Sequence, residues 1–335
     1  MRSINLIVCT FLIVLVSCKK DKPEPLVDAT LSNGILVLCE GLFQQNNASI
    51  SWISAANEAV ENGFFEAKTA RSLGDTGNDM QRYGGKIYIV VNVSSTVEVM
   101  DALTFAPIQQ IQMTANGTSK QPRSLAFNNG KVYVSCFDGF VDVIDTTSLV
   151  VEQRIAVGLN PEGMAVSGSY LYVANSGGLN TPTMDSTLSV IDLTTHTEIS
   201  KITVGLNPGA VLADDQGDIY VIARGNYSTV PAQVVRIGAQ SGASLDILPF
   251  TGSGFAKMGS KFLIYQSNFS GGGGNVLLFD PLSESVENSN YLNLSDVATL
   301  YGIQYNPQSD RIYCLDAMNF TNTGYVREFS GSGSY

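Results

Sequence analysis

"GLNPEGMAVSGSYLYVANSGG" opens at Gly158, and "GLNPGAVLADDQGDIYVIARG" opens at Gly205. Both run from Gly-Leu-Asn-Pro through a short apolar segment and a polar turn to a Tyr-Val pair. Repetition at this distance is the mark of a repeat architecture, and the rest of the chain falls into register with it. The apolar run after each polar turn recurs as "GKIYIV" at Tyr88, "GKVYVSC" at Tyr133, "SYLYVA" at Tyr172 and "GDIYVI" at Tyr220. It continues as "SKFLIY" at Leu263 and "DRIYCL" at Tyr313, with a degenerate first copy, "NGILVLC", at Leu36. The copies lie roughly 40–50 residues apart, the length of a four-stranded propeller blade.

Each run is short, rich in β-branched and aromatic residues, and bounded by Gly, Asn, Asp or Ser, which reads as a strand. A further strand follows each one ("TVEVMD", "FVDVID", "TLSVID", "QVVRIG", "NVLLFD", "YVREF" and, in the first unit, "ASISWIS"). Apolar and polar residues alternate in these, as in a strand with unequal faces. Asp101, Asp145, Asp192 and Asp280 close four of them and are expected to cap the following turn by bonding its backbone. The expected fold is all-β: a seven-bladed β-propeller of four-stranded antiparallel blades. The first unit begins at what elsewhere is the second strand. The last reaches "REFSGSGSY" before its outermost strand, so the last blade is expected to be incomplete. Gly-Leu-Asn-Pro becomes a connector, turning the outer strand of one blade into the inner strand of the next.

The ends read differently. Arg2, the apolar run Ile4 to Val16 and "LVSC" ending at Cys18 describe an export leader over residues 1–17. Leu-Val-Ser-Cys resembles the bacterial lipobox, which implies lipidation of Cys18. Residues 18–33, starting "CKKDKPEP", read as a solvated tether, and 34–335 as one propeller domain. The expected location is the outer membrane, with a lipid anchor as the only membrane contact and the protein exposed at the cell surface. A net charge of −11 argues against nucleic acid as a partner. Cys39, Cys136 and Cys314 form no close-spaced pair and are expected to be small buried hydrophobes.

In a propeller the turns between strands one and two, and three and four, share one face, and here they are short. The opposite face collects the long loops: "CEGLFQQNNA", "NSGGLNTPTMDST", "RGNYSTVPA", "SNFSGGGGN" and "AMNFTNTG". Long loops gathered on one face of a rigid scaffold are where binding resides. They carry Phe43, Tyr227, Phe269 and Phe320 as apolar platforms, among the amides Gln44, Asn92, Asn175, Asn226, Asn268 and Asn319. Arg123, Glu162 and Arg224 fall near the inner ends of their blades. Aromatic surface with amide donors and acceptors suits a large, mostly neutral ligand with many polar edges.

Signals for catalysis are weak. The one histidine, His196, lies in a turn on the short-loop face, which weakens His-based hydrolase and His-metal readings. "GGGG" at Gly271 has no Lys-Ser/Thr after it, so it is a loop and not a phosphate cradle. Asp214, Asp215 and Asp218 crowd one hairpin without the calcium-loop spacing. No catalytic residue, metal site or required cofactor is expected.

With its repeats laid out, the chain resembles the YncE-like, or YVTN-type, propellers. "GLNPEGMAVSGSYLYVANSGG" carries that family's Asn-Pro, inner strand and Tyr-Val-Ala-Asn pattern, and the resemblance spans residues 34 to 335. More narrowly, "CEGLFQQNNASISWI" and "SLGDTGNDMQRYGGKIYIVVNVSSTVEVMD" resemble the BtuG-type cobalamin-capturing surface lipoproteins of Bacteroidetes, with Cys39 where that family has Asn. The resemblance implies a non-enzymatic protein whose cargo is cobalamin or another corrinoid and whose partner is a TonB-dependent outer-membrane transporter. Two alternatives stand beside it: a structural or adhesive propeller binding protein or glycan, and a carboxylate- or metal-dependent propeller enzyme.

Overall fold

The structure, a computed structural model, describes residue 31 and residues 34–238, 245–269, 272–321 and 323–334. The expected leader and tether lie outside the described residues, apart from Leu31, whose backbone N–H donates to Leu103 O at 2.6 Å.

Seven antiparallel sheets follow one another as blades. Blade 1 has three strands, Gly34–Cys39, Ser49–Ser54 and Val60–Glu61. Blade 2 runs through Gly77–Tyr83, Lys86–Val91, Thr96–Asp101 and Pro107–Gln112. Blade 3 is Pro122–Asn128, Lys131–Cys136, Phe140–Asp145 and Val151–Ala156. Blade 4 is Pro161–Ser167, Tyr170–Asn175, Thr187–Asp192 and Thr197–Thr203. Blade 5 is Pro208–Ala213, Ile219–Ala223, Gln233–Ile237 and Leu245–Ile247. Blade 6 is Gly254–Met258, Lys261–Ser267, Gly274–Asp280 and Ser285–Asn288. Blade 7 has three strands, Leu300–Asn306, Arg311–Asp316 and Tyr325–Ser330. Among the described residues blade 1 therefore has no innermost strand and blade 7 no outermost one, as the repeats imply. Two elements were not legible in the repeats: a six-residue helix, Phe64–Thr69, between blades 1 and 2, and a short hairpin, Thr114–Ala115 with Thr118–Ser119, between blades 2 and 3.

The second strands are apolar along their length because both faces are covered by neighbouring blades. In Lys86–Val91, Ile87, Ile89 and Val91 join blade 1 while Tyr88 and Val90 join blade 3. The alternating strands differ from expectation. Their polar residues Glu98, Asp142 and Ser189 face no solvent at all, with exposures of 0%. Glu98 takes the Arg71 guanidinium at 2.8 and 2.5 Å, and Asp142 takes Lys120 Nζ and Arg154 Nε, each at 2.6 Å. Buried carboxylates are tolerated only when paired and hydrogen-bonded in this way. Arg71 and Lys120 lie on the connectors entering blades 2 and 3, so these pairs fix each connector to the blade.

The strand-closing aspartates cap their turns as expected. Asp145 Oδ1, for example, accepts from Thr147 N and Ser148 N at 2.9 and 2.8 Å. The connector reading also holds: Asn160 and Asn207 adopt left-handed φ of 42° and 57°, and Pro161 and Pro208 open the next inner strands. Cys136 and Cys314 are buried, but Cys39 is exposed, since among the described residues no inner strand stands in front of its strand in blade 1.

Candidate functional site

The long-loop end of the channel is built by one irregularity used five times. The inner strands of blades 2, 3, 4, 5 and 7 each carry one extra residue near their start, opposite the second strand. A bulge breaks the pairing and re-aims a side chain. The residues released are Asn78, Arg123, Glu162, Gly209 and Tyr301.

Four of these bulge residues, with Glu40, form a hydrogen-bonded arc across five blades. Tyr301 OH donates to Glu40 Oε2 at 2.5 Å, and Asn78 Nδ2 to Glu40 Oε1 at 3.2 Å. Arg123 bridges onward, to Asn78 Oδ1 at 2.7 Å and to Glu162 Oε2 at 3.2 Å. Arg224 of blade 5 approaches Glu162 Oε1 at 3.6 Å. Arg123 also lies over the Phe137 ring, 4.6 Å from its centroid, which limits its freedom.

Blades 5 and 6 reach the mouth by another route. A Cβ at Gly209 would sit 2.2 Å from Arg224 Cζ, and one at Gly254 would sit 2.3 Å from the Tyr265 hydroxyl. Each glycine leaves a gap through which a residue from behind crosses to the channel. Among the described residues blade 1 has no inner strand to cross, and Glu40, directly after its first strand, stands at the mouth. Glu40, Asn78, Arg123, Glu162, Arg224, Tyr265 and Tyr301 thus give one polar residue per blade. Burial and then the Glu40 carboxylate push the Tyr301 hydroxyl above its ordinary range. Burial lifts the Asp79 carboxyl, next to Asn78, to about 6, against hydrogen bonds from Leu125 N and Gln81 Nε2.

Above this ring the apolar loop residues lie on one side. Phe43, Tyr227 and Phe269 are 67%, 74% and 66% exposed, and belong to blades 1, 5 and 6. Phe320 of blade 7 joins them, with ring centroids 6.1 Å from Phe269 and 5.8 Å from Tyr301. Through Tyr301 the aromatic shelf connects directly to the polar ring.

Of the residues expected at the site, the structure brings Arg123, Glu162 and Arg224 together and leaves Phe43, Tyr227, Phe269 and Phe320 exposed on the loops above them. Gln44 and Asn268 are exposed on the same loops. Two expectations are corrected. Asn92 is buried and donates to Pro122 O at 3.0 Å. Asn175 is fully buried, accepting from Gly158 N and donating to Thr187 Oγ1 and Ser189 Oγ, so it has nothing left for a ligand. Both amides are spent inside the fold because a buried polar group must be paired. Asn226 and Asn319 serve their own loops: Asn226 Oδ1 accepts from Ser228 N and Val230 N, and Asn319 Oδ1 from Thr321 N. Glu40, Asn78, Tyr265 and Tyr301 join the site without being among the residues the sequence singles out. Their signal is positional: Asn78 and Tyr301 fall where Arg123 and Glu162 fall in their repeats, and Glu40-Gly41 where Arg224-Gly225 falls.

The connector asparagines also reach this face. Asn160 Oδ1 accepts from Leu179 N and Asn180 Nδ2, and Asn207 Nδ2 donates to Gly225 O and the Tyr227 hydroxyl, both at 3.3 Å. The repeated motif therefore anchors the unrepeated loops.

The opposite face holds a depression of about 510 Å³ between blades 4 and 5, bordered by Tyr170, Tyr172, Asp214 and Asp215. Its acids are committed: Asp214 Oδ1 to Gln216 N and Asp218 N, and Asp215 to Lys257 Nζ at 2.6 Å. The neighbouring Asp218 pairs with Arg236. His196 is likewise structural, its Nε2 3.0 Å from the Tyr133 hydroxyl. Among the described residues no group of three His, Cys, Asp or Glu is placed to hold a metal ion, and no helix is long and apolar enough to cross a membrane.

Fold and mouth define a seven-bladed propeller with a polar ring beneath an aromatic shelf. The chain belongs to the DUF5074 family, described as a domain of unknown function, which matches residues 33–326. No curated protein matches it. Among solved structures it is similar to a quinonprotein alcohol dehydrogenase-like protein from Bacteroides thetaiotaomicron, at 13% identity and a TM-score of 0.67, over 91% of this chain and 74% of that one. It is also similar to the hydrazine synthase of Kuenenia stuttgartiensis, at 17% identity and a TM-score of 0.60, over 83% and 89% of the two chains. A chain of a mitotic checkpoint complex matches at 9% identity and a TM-score of 0.63, over 96% and 99%. At such identities the likeness is one of fold.

Proposed function

We propose that this protein is a non-enzymatic capture protein that holds a bulky, polar-edged ligand on its long-loop face, and that the ligand is cobalamin or another corrinoid. The observation that carries this reading is the pairing of an aromatic shelf with a seven-residue polar ring on one open face. The shelf offers apolar area to a broad ligand face, and the ring offers donors and acceptors to its edges. The two mouth carboxylates are engaged by Tyr301, Asn78 and Arg123, an arrangement suited to holding a ligand.

In this reading Cys18 carries the lipid, the propeller stands at the outer surface, and the cargo passes to a TonB-dependent transporter. Titration of the full-length protein with cyanocobalamin, followed by heat release, tests it: saturable binding is expected, and none at micromolar concentrations overturns the corrinoid assignment. A second reading, glycan recognition, is favoured by the exposure of Phe43, Tyr227 and Phe269, since flat aromatic faces also stack on sugar rings. The same titration with oligosaccharides separates the two.

A further inference from the structure

The hydrogen-bonded arc at the mouth is open on one side. It runs from Tyr301 through Glu40, Asn78 and Arg123 to Glu162, and then stops. Arg224 stands next, but its contact with Glu162, at 3.6 Å, is too long for a hydrogen bond, and that carboxylate already receives Arg123. Among the described residues neither the Arg224 guanidinium nor the Tyr265 hydroxyl has a hydrogen-bond partner. We propose that Arg224 and Tyr265 together form an oxyanion subsite, and that the cargo carries one carboxylate or phosphate-type group held there. The proposal rests on the capture reading and specifies the chemistry of the cargo.

Three features support it. First, both side chains are seated: each crosses a glycine of the inner strand, Gly209 or Gly254, where a Cβ would leave no room. A side chain threaded through such a gap has lost most of its rotamer freedom before any ligand arrives, which lowers the cost of binding. Second, the donors are of the right kind. Arginine presents a planar fork that takes a carboxylate or phosphate through two bonds, and the tyrosine adds a third donor. Burial pushes the Tyr265 hydroxyl above its ordinary range, although Arg224 opposes this, so the group keeps its proton. Third, charge is unevenly shared. Two guanidiniums stand against Glu40 and Glu162, but Glu40 is bonded by Tyr301 and Asn78 while Glu162 sits closer to Arg123, which leaves Arg224 under-neutralised. The aromatics Tyr227, Phe269 and Phe320 belong to blades 5, 6 and 7, on this same open side.

The test uses simple anions as probes. The full-length protein and its Arg224→Gln, Arg224→Lys, Tyr265→Phe and Gly209→Ala variants are titrated at low salt with methyl phosphate and, separately, with acetate. Thermal melting checks that each variant is folded. Saturable millimolar binding of at least one anion is expected. Arg224→Gln should weaken it at least about tenfold, and Tyr265→Phe several-fold, the range for removing a charge-assisted or neutral hydrogen bond. Arg224→Lys, which keeps the charge and loses the fork, should fall between wild type and Arg224→Gln. Gly209→Ala, which keeps both groups but displaces the guanidinium, should also weaken binding. Stronger binding of methyl phosphate points to a phosphodiester in the cargo, and stronger binding of acetate to a carboxylate. No saturation by either anion up to about 0.1 M, or equal affinity in Arg224→Gln and wild type, overturns the subsite. Anion binding without cyanocobalamin binding keeps the subsite and removes the corrinoid; the converse removes the subsite and keeps the corrinoid.

Discussion

Asp79 combines a place beside the mouth with a carboxyl that burial raises to about 6. At a pH between its ordinary value and about 6, the native protein holds a proton that the unfolded chain gives up. Stability from this group therefore falls as pH rises through that window and levels off above it, by about 3 kcal/mol in all. Asp79→Asn keeps an oxygen for Leu125 N–H and should remove the slope. Melting temperatures of wild type and variant, compared from pH 4 to 7, check this, and parallel curves would count against it. Cysteine accessibility gives a second prediction. Burial pushes the Cys314 thiol up to about 12 and the Cys136 thiol well above its usual range, whereas Cys39 is exposed. Brief alkylation of the native protein followed by peptide mapping should find Cys39 modified and the other two intact. The sequence shows Cys39 and Cys136 at the same repeat position, and it cannot show that their exposures differ. That depends on whether an inner strand stands in front.

The connectors and the third strands carry more than their repeat pattern suggests. A polar residue in an alternating strand reads as solvent-facing, yet Glu98 and Asp142 are buried and meet Arg71 and Lys120 from connectors 27 and 22 residues away. Sequence alternation reports which residues share a face; it does not report what covers that face. Lys120→Met, which leaves Asp142 with Arg154 alone, is expected to cost about 3 kcal/mol in urea unfolding. A loss below about 0.5 kcal/mol would mean that Arg154 suffices. The Gly-Leu-Asn-Pro segment shows the same limit. Its turn was legible from Asn and Pro, while the bonds from Asn207 to Gly225 and Tyr227 were not. Asn207→Ala should leave the fold intact and lower cargo affinity several-fold by releasing the Tyr227 loop. Unchanged affinity would place that loop outside the site.

Six apolar clusters join successive blades from blade 1 to blade 7. None of these clusters joins blade 7 back to blade 1, where the Tyr301–Glu40 bond crosses. At this seam meet blade 1, without an inner strand among the described residues, and blade 7, likewise without an outer one. Local opening follows low apolar contact, so amides of Gly34–Cys39 and Tyr325–Ser330 should exchange with deuterium sooner than those of Lys131–Cys136. Tyr301→Phe should speed exchange at the seam and spare blades 3 to 5. Uniform protection around the ring would show that closure is as strong there as elsewhere.

Repeat length, strand count, the connectors and the crowding of long loops on one face follow from local rules of periodicity and turn chemistry, and the chain states them directly. Arg123, Glu162 and Arg224 could be placed near the mouth because their repeat positions place them there. Their joining with Glu40, Asn78, Tyr265 and Tyr301 was decided by tertiary structure alone. Closing the ring brings Glu40 and Tyr301, 261 residues apart, into contact. Bulges and two glycines then determine which side chains the channel receives. A one-dimensional pattern records which residues repeat, but the gap left by a missing Cβ acquires meaning only when another strand fills it.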